Sequence, residues 1–202
     1  QRRLNVREVD FKNIRRRADD RLSHLLVSRR FNFAAPGTKV VSFFSSEKAL
    51  AGKAFWTIST DISASKVLCL WLNSTLAFIE SLLLQTETEG SFIEITKEKL
   101  LEFHIPDLAS CDTSALLVAF DKVRHVEFPP LVQQFENPPE ARQIIDRAVL
   151  KTIGYDDDEI DKLLPDIYQA MATEMQSWQE LMHKSATKEK APSLQLHLLS
   201  SE

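Results

Sequence analysis

Glycine is scarce in this 202-residue chain: there are four, Gly37, Gly52, Gly90 and Gly154, and no two form a G-x-G pair. That absence removes the Gly-rich loop with which doubly wound folds approach a nucleotide-type cofactor. Cysteine is scarcer still. Cys69 and Cys111 lie far apart with no second cysteine beside either, so neither a disulfide framework nor a Cys-x-x-Cys metal knuckle can be built, and both are expected as buried thiols. The five histidines (His24, His104, His125, His183, His197) show no His-x-x-x-His or Glu-x-x-His spacing, which argues against a metal site. There is no G-x-S-x-G and no histidine near either cysteine, so nucleophilic hydrolysis has no support. No apolar run approaches the length of a membrane-spanning helix, and Gln1 to Val6 do not lead into a signal-peptide core; the expectation is a cytoplasmic protein with no membrane partner. Gln1 is no initiator, and the opening residues read as the interior of a longer sequence.

What is present is enough for a core. Apolar residues make up 44% and charged residues 27% of the chain, the balance of a folded globular body rather than of a disordered one. Its length suits one large domain or two small ones. Charge is distributed unevenly. Residues 1–66 hold 14 Lys+Arg against 6 Asp+Glu, a net of +8, whereas residues 67–202 hold 11 against 23, a net of −12. An anion-facing N-terminal part follows from this asymmetry, nucleic acid being the commonest large polyanion; two sets of solvated surface charges would produce the same counts.

After a basic cluster, Arg15-Arg16-Arg17, preferences turn to β: residues 24–33, 38–45 and 54–60 are rich in Val, Phe, Ile, Trp and Thr, and Ala35-Pro36-Gly37 supplies a turn. They read as an antiparallel meander. Ser63 or Ser65 is placed to cap a long central helix over residues 66–84, apolar on more than one face. A short strand over 92–95 and a helix over 97–103 capped by Thr96 come next. Beyond Ser110 the periodicity is helical: one helix around Leu116 to Val123, a second around Ile144 to Ile153 closed by Gly154, and a third from Ile160 to Leu181, with Pro165 either kinking it or marking a restart. The fold class is therefore α+β, a small mixed β-sheet packed on a long central helix and followed by a helical C-terminal region. The expected division is 1–128, 129–184 and a flexible tail, 185–202.

One stretch is more specific than the rest. Trp71-Leu72-Asn73-Ser74-Thr75, the turn Thr86-Glu87-Thr88-Glu89-Gly90, the strand Phe92 to Ile95, the helix from Lys97 to Phe103 and the closing Ile105-Pro106-Asp107 follow one another in the order and spacing of a "WLNST", "TETxG", "xIxK", "IPD" series. His24 to Arg30 is similar to an "LxxPRR" lead-in, and Arg142-Gln143-Ile144-Ile145-Asp146-Arg147-Ala148-Val149 to an "R-x-x-I-D-x-x-V" helix ending in Gly. This series resembles the target-recognition and C-terminal region of adenine-N6 DNA methyltransferases of restriction-modification and related phage-defence systems. Glu89 departs from it, standing where relatives often carry Arg. Asn73 and Ser74 are unusual in an apolar helix and are either bonded to neighbouring backbone or exposed toward a ligand.

The resemblance implies a sequence-specific DNA-recognition fragment that is not an enzyme by itself. No catalytic, cofactor-binding or metal-binding residue is assigned in this chain, and S-adenosylmethionine is expected on a separate catalytic domain. Asn137-Pro138-Pro139 imitates the base-binding motif of such domains, but Glu140 occupies the aromatic position, so stacking on a flipped base is lost. Asp156-Asp157-Asp158-Glu159 lacks the alternation and Gly of a calcium loop and reads as the acidic start of a helix. The candidate DNA-binding residues are Arg15, Arg16, Arg17, Arg29, Arg30, Lys39 and Lys53, with double-stranded DNA and the parent protein's methyltransferase catalytic domain as partners and a homo-oligomer possible. The competing reading is a docking or oligomerisation module without DNA contact, built on the amphipathic C-terminal helices.

Overall fold

The computed structural model describes residues 21–84 and 92–189, with side chains to residue 180. Arg15, Arg16 and Arg17, the turn over 86–90 and the tail beyond Glu189 lie outside the described residues. The class is α+β, as the patterning implies.

Strand β1 (Leu22–Ser28) buries Ser23, Leu25 and Val27 on one face by simple alternation. It lies in the centre of a three-stranded sheet, flanked by β3 (Ser42–Leu50) and β4 (Phe55–Ile58), both antiparallel to it. The order differs from a meander, in which β3 would occupy the middle, and the sheet is antiparallel rather than mixed. The alternation explains why β1 takes the centre: β3 buries little beyond Ser42, whereas β1 buries every second residue. Strand β2 (Arg30–Phe31) leaves this sheet and pairs with β5 (Ile93–Glu94), placing Arg30 opposite Glu94 and Phe31 opposite Ile93.

The long central helix is two helices. Helix α1 (Ile62–Leu72) and α2 (Thr75–Leu84) meet at an angle of 71° around Asn73-Ser74. Asp61, rather than Ser63 or Ser65, caps α1, its carboxylate accepting from Ala64 N–H at 2.9 Å. Helix α3 (Lys97–Glu102) starts where expected, Thr96 Oγ1 accepting from Lys99 N–H at 3.3 Å. Then come α4 (Ser114–Val123), α5 (Leu131–Glu136), α6 (Glu140–Thr152) and α7 (Asp157–Glu189). Helix α5 was not legible as a helix because it is six residues long and lies between proline pairs. Helix α7 runs through Pro165 without a restart and past residue 184 to Glu189.

The helix ends are built as their residues suggest. Asp156 Oδ1 accepts from Glu159 N–H at 2.8 Å while Glu159 Oε2 accepts from Asp156 N–H at 3.0 Å, a reciprocal capping box that accounts for two of the acids in that run. Gly154 closes α6 at a φ of 104°, its N–H bonding to Lys151 C=O and that of Tyr155 to Leu150 C=O.

Two apolar clusters hold the elements together. One joins Leu25 and Val27 of β1 to the buried face of α1, to Leu116 and Phe120 of α4, and to Ile145 and Val149 of α6. The other joins Phe31, Phe33 and Ile93 to Phe78 of α2, Leu131 and Phe135 of α5, and Ile160, Leu164 and Met175 of α7. Trp71 is core, as expected, and donates its indole N–H to His104 C=O at 2.9 Å.

Candidate functional site

The residues that carry the motif meet one another in the interior. Asn73 Oδ1 accepts from Val41 N–H at 2.9 Å and Ser42 N–H at 3.2 Å, and its Nδ2 donates to Ser42 C=O and Cys69 C=O. Of the two roles open to Asn73, bonding to neighbouring backbone is the one it adopts. Ser74 Oγ accepts from Ala77 N–H, beginning α2. The backbone N–H and hydroxyl of Thr75 both donate to Asp146, at 2.7 and 2.6 Å, and Tyr168 adds a third donor at 3.0 Å.

Arg142 lies one turn before Asp146 and is fully buried. It donates to Asn73 C=O through Nη1 and to Gln134 Oε1 through Nε and Nη2, while Gln134 passes its amide N–H groups to Lys39 C=O and Pro129 C=O. The guanidinium sits among Phe78, Phe128 and Phe135, between 5.1 and 5.9 Å from their ring centroids. Burial pushes the Asp146 carboxyl above its usual range, against the pull of Arg142 and the donors from Thr75 and Tyr168. Burial likewise draws Arg142 below its ordinary value, which nearby Asp146 opposes. The WLNST and R-x-x-I-D segments are thus two halves of one polar joint, and their role is to fix the bend between α1 and α2.

The accessible cations stand elsewhere. Residues 21–66 contain seven Lys+Arg and two Asp+Glu, a net of +5. As β1 ends, Arg29 N–H donates to Ala54 C=O at 2.9 Å and Arg29 C=O accepts from Ile95 N–H at 2.8 Å, so its backbone links the two sheets. Its half-buried side chain lies 4.2 Å over the Trp56 ring, and its Nη1 donates to Lys53 C=O at 3.3 Å. Trp56 is itself held by a 2.8 Å bond from its indole N–H to Ile95 C=O. Arg30 is exposed and lies 4.7 Å over the Phe92 ring. Lys53, two residues before β4, is exposed. Among the described residues, neither Arg29, Arg30 nor Lys53 forms an ion pair with a carboxylate. Lys39 is placed differently: its Nζ is 2.9 Å from Glu127 Oε1, which offsets its charge.

Among the described residues no group of three His, Cys, Asp or Glu is arranged to hold a metal ion. Asn137 ends α5 and Pro139 precedes α6, so the Asn-Pro-Pro segment is a helix connection. Cys69 is buried as expected and its thiol is pushed up to about 11 by burial; Cys111 is half-buried. A cleft of about 410 Å³ opens beside β3, lined by Phe43, Phe44, Phe120 and Phe128 with Arg124 and His125. Sequence reasoning overlooked Trp56 and Phe92 as partners of the paired arginines, and Arg142 and Asp146 as interior residues. The second pair carried a readable signal, since the same stripe of α6 holds Ile145 and Val149.

No family model matches the chain, and no curated protein matches it. Among solved structures, the chain is similar to part of the type IIG restriction endonuclease BpuSI, with a TM-score of 0.57 and 17% identity. The match covers 86% of this chain and 20% of that one, so the chain spans about a fifth of its neighbour's length. At that identity the likeness is one of fold.

Proposed function

We propose that this chain is the DNA-recognition part of an adenine-specific DNA methyltransferase of a restriction-modification system, acting with a catalytic domain that carries S-adenosylmethionine. The observation that carries the reading is the cationic edge formed by Arg29, Arg30 and Lys53, exposed or half-exposed and unmatched by described carboxylates, on a fold similar to part of a type IIG restriction endonuclease. Cations so placed neutralise phosphates and release their counterions, which gives affinity without sequence preference; polar and forked side chains beside them read base edges. The motif segments support the reading indirectly, because the buried joint at Asn73, Arg142 and Asp146 holds the sheet against the helices and so keeps the edge in one shape.

The test is a titration of the 202-residue chain with duplex DNA across a salt series. A chain that neutralises three to five phosphates loses affinity with a log–log slope of about −3 to −5. Substitution of Arg30 or Lys53 by Ala is expected to flatten that slope by about one unit. Absence of binding to any duplex at low salt would overturn the reading.

A second reading, a docking module, is favoured by one feature. Ile79, Leu82 and Leu83 of α2 and Ile167 and Met171 of α7 line an apolar groove, and Leu83 is 80% exposed. Mass that rises with concentration, in the absence of DNA affinity, would support this reading over the first.

A further inference from the structure

Gripping a phosphate needs charge, whereas reading a base needs donors at fixed positions. A free arginine or lysine side chain loses rotamer entropy when it is immobilised. A side chain already held by its own protein has met most of that cost before any ligand arrives.

Arg29 is held in this way and its neighbours are not. Its backbone is fixed at both ends, by Ala54 C=O and by Ile95 N–H. Its Cζ lies 4.2 Å from the centroid of Trp56, a ring that is itself pinned to Ile95 C=O. Its orientation is further restrained by the Nη1 bond to Lys53 C=O at 3.3 Å. That bond uses one of five N–H donors. Arg30 has an aromatic contact with Phe92, without a described hydrogen bond to fix its rotation, and lies across from Glu94; Lys53 is an exposed point charge.

Resting on the reading that the chain binds duplex DNA, we propose that Arg29 is the specificity-determining side chain, presenting its fixed fork to the O6 and N7 acceptors of a guanine in the major groove, while Arg30 and Lys53 meet phosphates. Guanine is the base that fits. A guanidinium has donors only; adenine and thymine each offer it one major-groove acceptor, cytosine offers a donor, and guanine offers two adjacent acceptors. A phosphate also offers two acceptors to an arginine fork, so the experiment must separate that source from a base.

The 202-residue chain and its R29K, R29A and R30A variants are each used to select duplexes from a randomised pool, and the bound fraction is sequenced. Unchanged melting and far-ultraviolet circular dichroism establish that each variant is folded. R29K keeps the charge and removes the planar fork. The wild-type chain is expected to enrich a motif containing a guanine whose enrichment R29A loses, R29K weakens and R30A keeps. Replacing that guanine by its 7-deaza analogue weakens wild-type binding roughly 5- to 100-fold and leaves R29A binding unchanged. If R29A enriches the same motif, or the 7-deaza analogue binds the wild type as tightly as guanine, Arg29 is not the guanine reader and the inference falls. Salt-dependent binding with no enriched motif also overturns it while leaving DNA binding intact. Failure to bind any duplex at low salt removes both.

Discussion

The carboxylate of Asp146 closes the start of a helix that begins 71 residues earlier in the chain: Thr75 donates to it through its backbone N–H and its hydroxyl. Helix termini leave N–H groups without partners, and a buried terminus needs an acceptor from elsewhere. Asp146 supplies it, while Arg142, one turn away, takes the carbonyl of Asn73 on the other side of the bend. The bend therefore depends on α6 as well as on the residues of the bend itself.

Truncating Asp146 leaves the buried Arg142 guanidinium without its nearby opposite charge and Thr75 without its acceptor. Asp146→Ala is expected to lower the free energy of unfolding by about 3–5 kcal/mol, read from urea denaturation. The double variant R142M/D146N is expected to be more stable than the sum of its single changes allows, because the two act as one unit. A loss below about 1 kcal/mol for Asp146→Ala, the range of exposed pairs, would show that the bend is held by apolar packing instead.

Asn73 serves four backbone groups, on Val41, Ser42 and Cys69. Asn73→Ala is expected to cost at least about 2 kcal/mol, since each buried polar group left unpaired costs about 1–3 kcal/mol. Asn73→Asp is expected to be worse at neutral pH, because it buries a charged carboxylate against the Ser42 and Cys69 carbonyl oxygens, whereas Ala leaves a neutral site. Denaturant midpoints compared at constant m-value decide the order of the two variants.

The two cysteines are expected to react differently with a disulfide reagent at pH 8. Cys111 is half-buried and is accessible to the reagent in the native state; Cys69 reacts only after denaturation, its thiol being buried and pushed up to about 11 from 9.0. The same shift has a sign in stability. Above pH 9 the unfolded chain releases the Cys69 proton while the folded chain keeps it, so stability falls as pH rises toward 11. Cys69→Ala is expected to lack that decline, and two fast-reacting thiols in the native protein would contradict the burial.

Gly154 adopts a φ that costs residues with a Cβ about 1–2 kcal/mol. Gly154→Ala is therefore expected to lower stability by that amount, although no neighbouring atom lies where its Cβ would go. A melting temperature unchanged from wild type would mean that α6 ends without the left-handed residue.

Short-range chemistry was legible in the sequence. The β-preference over residues 24–33 gave a strand there, Thr96 and the Asp156-to-Glu159 run gave two helix starts, Gly154 gave a helix end, and the paired arginines and Lys53 gave candidate cations. Each depends on residues a few positions apart, where backbone geometry alone decides which groups meet.

Strand order, the 71° bend and the partners of the arginines belonged to the tertiary structure. An apolar run over residues 66–84 satisfies an unbroken helix as well as a broken one until Asn73 finds the backbone of residues 41 and 42 and Asp146 finds Thr75. Arg29 and Arg30 are chemically identical on paper; one is held over Trp56 and the other lies exposed over Phe92 because β1 and β2 enter different sheets. The local sequence determined which groups must be satisfied, and the packing of distant segments decided which partners satisfied them, because a buried polar group takes whichever partner the fold brings within about 3 Å.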